Sequence, residues 1–170
     1  MAVLDDFGQL VANELAEADA TIPLTGRRFV TARGGRVTLP SGVLAQLAPS
    51  SLVLGGAVMT DGKAVALLVA RAGGRQLIVL ARGHGQTTVR YAVPAAAMVR
   101  VAVKAYLAVV QSGPRTLVMV DLRTGRELGT ATLDADVHDV AVDPAGRRLA
   151  VRSDAGIELH EIAELLRRPV

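Results

Sequence analysis

The side chains equipped for chemistry are few, and their spacing suits little of it. His84, His138 and His160 lie 54 and 22 residues apart, a pattern that matches no metal-ligand motif. There is no cysteine, which excludes thiol nucleophiles, disulfide frameworks and cysteine-ligated zinc or iron–sulfur sites. His138 stands among Asp134, Asp136, Asp139 and Asp143, an acidic set that would suit a hard cation. That set lacks the interior Gly and bidentate Glu of an EF-hand loop, so it reads as a solvated turn between repeats. His160 reads as a structural residue. Gly62-Lys63 runs into Ala64 rather than Ser or Thr, and no GxGxxG is present, so nothing cradles a phosphate. Ser112-Gly113 lies in a turn without a neighbouring base, and GxSxG is absent. Asp61 is the single acid between residues 20 and 120, so paired carboxylates cannot be assembled there. The chain is expected to be no enzyme and to hold neither metal nor cofactor.

Charge is the stronger signal. Residues 1–19 carry five acids and no base, residues 20–120 carry ten Arg and two Lys against Asp61, and residues 121–170 carry seven Arg against ten acids. The middle stretch, at +11, should raise a positive surface field. Seventeen of the nineteen basic residues are Arg, the side chain suited to bidentate carboxylate or phosphate contacts. Arg33, Arg71, Arg75 and Arg115 are the candidate partner-binding residues, because each falls at the same turn of a repeating unit.

Those turns belong to elements that composition permits and periodicity reveals. The 170 residues are 51% hydrophobic, 21% charged and 2% aromatic, enough for one domain with a real core. Short apolar runs alternate with Gly turns: Thr21–Leu24, Phe29–Ala32 and Val37–Leu39; then Ala57–Met59, Ala64–Ala70 and Leu77–Ala81. Next come Met98–Val103, Ala105–Val110 and Leu117–Asp121, and finally Val137–Val142, Leu149–Val151 and Ile157–Glu161. The third runs begin at Val37, Leu77, Leu117 and Ile157, each 40 residues after the last. Strand-length runs at that period are the arithmetic of a propeller blade or comparable β repeat. Gly in the turns accepts the positive φ that tight hairpins require. Ala64–Ala70 and Ala105–Val110 are apolar at every position, as strands buried on both faces are.

Residues 137–162, VHDVAVDPAGRRLAVRSDAGIELHEI, resemble a WD repeat of the β-propeller superfamily. Val120 to Leu128 looks like the end of the preceding repeat, and the resemblance is best over 98–162. The family's Trp-Asp pair falls on Val120-Asp121, His160-Glu161 and Leu80-Ala81, so the Trp is absent and the Asp survives once. Asp154 matches the turn Asp that braces the family's blades. The resemblance implies an all-β, propeller-like array of about four 40-residue blades over residues 21–162.

Short helices are expected at the ends. Residues 1–20 are expected to form an acidic amphipathic segment in which Val3, Phe7, Leu10 or Val11, Leu15 and Ala18 favour a helical stripe, with a strand as the alternative. Residues 163–170 read as a short helix or tail stopped at Pro169. The last unit ends after its third strand, so a fourth would come from the N-terminus, from a neighbouring chain, or from nowhere. Sheet edges and blade faces left open in this way favour association. The expected function is a protein-interaction scaffold completed as a homodimer or by a partner subunit. The alternative is a polyanion or nucleic-acid binder using the basic residues of 20–120, although few aromatics offer stacking platforms. The acidic N-terminus and the lack of any 18-residue apolar run point to the cytoplasm and away from membranes.

Overall fold

The computed structural model describes residues 20–23, 29–39, 42–48, 50–81, 87–94 and 97–167. The question of helix or strand within residues 1–19 lies outside them. Among the described residues, four antiparallel meanders follow one another along the chain. The first runs β1 (Ala20–Pro23), β2 (Phe29–Arg33), β3 (Arg36–Leu39) and β4 (Gly42–Gln46). The second runs β5 (Leu52–Val58), β6 (Ala64–Arg71), β7 (Gly74–Ala81) and β8 (Thr87–Val93). The third runs β9 (Val99–Ala102), β10 (Leu107–Gly113), β11 (Thr116–Asp121) and β12 (Glu127–Thr132). The last has three strands, β13 (Val137–Val142), β14 (Arg148–Ser153) and β15 (Gly156–Glu161), followed by α1 (Ile162–Leu165). The sequence-read runs fall on the first three strands of each sheet.

Consecutive sheets stack face to face, because the faces that meet are apolar. Val30, Ala32 and Val37 of the first sheet meet Val65, Leu67 and Ile78 of the second. Ala66, Leu77 and Val79, on the second sheet's other face, meet Ala108, Val118 and Val120 of the third. Val109, Leu117 and Met119 then meet Val140, Leu149 and Val151 of the fourth, with Ile162 and Leu165 of α1 closing that layer. The wholly apolar runs are therefore the middle strands, buried on both faces as their composition requires.

Polar contacts tie the stack together at its hairpins. The Thr60 N–H donates to the Val103 carbonyl at 3.2 Å and the Lys104 N–H to the Pro144 carbonyl at 2.8 Å, joining turns of successive sheets. Gly146 has φ +67° in one of these turns, and a Cβ there would lie 2.7 Å from that of Ala105. Only glycine fits such a place. Strand boundaries depart from the sequence reading in two places, the first being β5, which begins at Leu52 rather than Ala57. Ala105–Val110 is not one strand; Tyr106 sits in a turn at φ 56°, and β10 begins at Leu107. A continuous apolar run concealed that turn, since tyrosine carries no turn signal.

Candidate functional site

The four candidate arginines lie at the second-to-third-strand hairpins of the first three sheets. Arg33 ends β2, Arg71 ends β6, Arg75 is the second residue of β7 and Arg115 occupies the β10–β11 turn. Arg71 and Arg115 do work within the fold. Arg71 Nε donates to the Ser51 hydroxyl at 3.1 Å, and Ser51 is itself buried. Arg115 Nε sits 2.7 Å from an Asp136 carboxylate oxygen, in the connection that leads into the fourth sheet. The hydrogen bond to Asp136 pushes the Arg115 guanidinium pKa further up. Backbone bonds reinforce the same junction, from the Leu133 N–H to the Arg115 carbonyl at 2.9 Å and from the Val137 N–H to the Pro114 carbonyl at 2.7 Å. The equivalent hairpin of the fourth sheet carries Asp154 in place of a base.

The acidic set around His138 disperses into separate structural roles. Asp136 holds Arg115, and Asp139 takes Arg100 Nη2 at 2.8 Å. Asp143 accepts the N–H groups of Arg147 and Arg148 at 2.6 and 2.7 Å, closing the β13–β14 turn. His138 Nε2 lies 2.6 Å from Asp154, bracing the β14–β15 hairpin against β13. His160 is half-buried, 3.4 Å from Glu158. No group of three potential metal ligands gathers among the described residues. An open groove of about 440 Å³ separates β5 from β9, lined by Leu54, Gly55, Gly56, Met98 and Val101 among others. Apart from Arg100, its lining holds no charged side chain.

The most distinctive surface is the outer face of the fourth sheet. Val37, Leu77 and Leu117 hold the same place in three successive sheets and are 0%, 2% and 0% exposed under the next sheet. Ile157, the fourth of the series, is 74% exposed. Two residues further along each strand, Val79 and Met119 are buried while Leu159 is 76% exposed. Register confirms the shared face: Leu159 pairs with Ala150, and Ala150 with Ala141, so Ala141, Ala150 and Leu159 form one apolar row. Ile157 lies beside that row opposite Arg152. The face is built like an inter-sheet face, yet no described residue covers it. The sequence implies an open blade face but does not single out Ile157 and Leu159 as its residues, although the 40-residue register places Ile157 on Leu117.

The class of molecule is thus a stack of antiparallel meanders with apolar faces, open at the end described. No family model matches the sequence, and no curated protein is similar to it. Solved structures do share the fold. A chain in the crystal structure of a mitotic checkpoint complex superposes with a TM-score of 0.60 at 14% identity, covering 95% of this chain and 50% of that one. The computationally designed Ika8 protein superposes with a TM-score of 0.58 at 16% identity, covering 84% and 45%. This chain spans about half the length of the structures it matches. Among the described residues no helix is long and apolar enough to cross a membrane.

Proposed function

We propose that the four meanders are consecutive blades of a β-propeller, and that the chain is a non-catalytic protein-interaction module whose open blade face seats another protein surface. The observation that carries this reading is the pair Ile157 and Leu159, three-quarters exposed in the register where Leu117 and Met119 are buried. Burying an Ile or Leu side chain is worth about 1.5–3 kcal/mol, so covering both stabilises an assembly by several. The structural likeness to a chain of a multi-component complex is in keeping with a protein partner. Polyanion binding has less support, because Arg71 and Arg115 are engaged within the fold.

The test is sedimentation of the labelled chain in extract of the cells that make it, beside an Ile157→Asp/Leu159→Asp variant. The unaltered chain is expected to travel faster than a single 17.7 kDa species, and the variant to lose that behaviour. If both travel as single chains, the reading is wrong.

A further inference from the structure

We infer that the partner is a second copy of this chain, and that two copies close into one ring of eight sheets by seating the fourth sheet of each on the first sheet of the other. This rests on the reading that the outer face of the fourth sheet is a protein contact. It adds which surface the contact takes, and how many chains the ring contains.

The complementary surface is present on the chain itself. The first sheet also has an outer face, turned away from the second, on which Thr31 and Thr38 are half-buried and Val43 is exposed. Thr38 lies there, on the side opposite Val37, and pairs with Thr31 and with Val43, which is 57% exposed. Forty and eighty residues on, Ile78 and Val118 occupy the place of Thr38, and both are buried against the preceding sheet. Among the described residues, the first and fourth sheets are therefore the two ends of one repeating stack. The outer face of the fourth sheet is the kind that packs on a following sheet, and that of the first is the kind that packs on a preceding one.

Charge matches across those ends. Residues 20–48 carry four Arg and no acid, whereas residues 133–167 carry eight acids against four Arg. A seam between first and fourth sheets brings the basic Arg33-Gly34-Gly35-Arg36 hairpin beside the hairpin that holds Asp154, which is 78% exposed at its side chain. Within the chain, the third-to-fourth junction already uses this chemistry, through Arg115 and Asp136. Two copies supply eight sheets, at the upper end of the roughly four to eight that such rings contain. A two-fold arrangement satisfies both ends of both copies at once and leaves no face to propagate a filament.

The experiment is sedimentation of the purified full chain with two variants, one altered at each end. The unaltered chain is expected at twice 17.7 kDa. Ile157→Asp/Leu159→Asp spoils the fourth-sheet face, and Thr38→Glu/Val43→Glu spoils the first-sheet face. Each variant alone is expected to dissociate, its self-affinity weakened roughly 100-fold or more. Mixed one to one, they regain a dimer, because one intact seam can form between an unspoiled fourth sheet and an unspoiled first sheet. That recovery also shows that both variants fold. If the first-sheet variant dimerises as well as the unaltered chain, the fourth sheets pair with each other and the ring is wrong. If the purified unaltered chain is a monomer, yet its complex in extract persists and is lost in the Ile157→Asp/Leu159→Asp variant, the second copy is wrong and the interaction reading stands.

Discussion

The Tyr106 hydroxyl lies 2.9 and 2.8 Å from the two carboxylate oxygens of Asp61, reaching from the β9–β10 turn of the third sheet to the β5–β6 turn of the second. The Arg123 guanidinium stands 4.5 Å over the centre of the same ring. Tyr106 holds φ 56°, a left-handed backbone that costs a non-glycine residue about 1–2 kcal/mol. A contact between sheets is thus maintained against local strain. The Lys63 N–H, and after it the Tyr106 hydroxyl, hold Asp61 below the usual carboxylate range.

Replacing Tyr106 with Phe removes that bond and keeps the ring. The Asp61 carboxyl should then titrate closer to its ordinary value, read by NMR. Tm should fall by roughly 1–4 °C, the scale of one modest hydrogen bond in a domain of this size.

Asp143 predicts the acid limb of stability. The Arg148 N–H, followed by those of Arg147 and Ala145, lowers its pKa below the ordinary 3.8. A depressed carboxylate stabilises the fold above its unfolded pKa, and that contribution is lost as pH falls through the folded one. Tm measured downward from about pH 6 should therefore drop more steeply for the unaltered chain than for Asp143→Asn. The two curves should converge at the acid end.

Tyr91 predicts the alkaline limb. Partial burial, and then the hydrogen bond to Glu127 at 2.7 Å, push its hydroxyl from 10.0 up to about 12. The stability it lends is complete below its unfolded pKa and disappears as pH rises through the folded one. Ultraviolet titration should show one tyrosine ionising about two pH units late. Glu127→Gln should bring that transition down.

Met119 and Leu159 occupy matching places in consecutive sheets at 0% and 76% exposure. Truncation of Met119 to Ala should cost about 2–5 kcal/mol in chemical denaturation, as buried methionines do. Truncation of Leu159 to Ala should cost the isolated chain within about 0.5 kcal/mol, since an exposed side chain loses little. Its effect should appear in association instead.

Architecture was legible where one physical pattern governed a segment. Val37, Leu77, Leu117 and Ile157 do stand at one place in four successive sheets, because strand-length apolar runs between glycine turns leave few other folds open. The outermost strands β4, β8 and β12 were not legible. In Glu127–Thr132 the buried residue is Ala131 and most others are polar, since an outer strand has little to bury. The Arg115–Asp136 pair was hidden for a different reason. It joins residues 21 apart across a sheet junction, and a count of charges along the chain cannot see that. The open face is hidden in the sequence because Ile157 and Leu159 alternate with Glu158 and His160, and such alternation does not say which face lacks a neighbour. Exposure is a property of neighbours, and no strand's own residues record it.

The chain has no cysteine, so one placed at Leu159 becomes its single thiol and reports directly on that face. Maleimide labelling of Leu159→Cys in extract of the cells that make it, compared with Ala155→Cys in the exposed β14–β15 hairpin, reads whether the outer face of the fourth sheet is covered. Labelling at position 159 slowed by roughly tenfold or more relative to 155, and restored to the same rate in urea, is the predicted result. Equal rates at both positions before urea is added would show a bare sheet face and contradict the central claim.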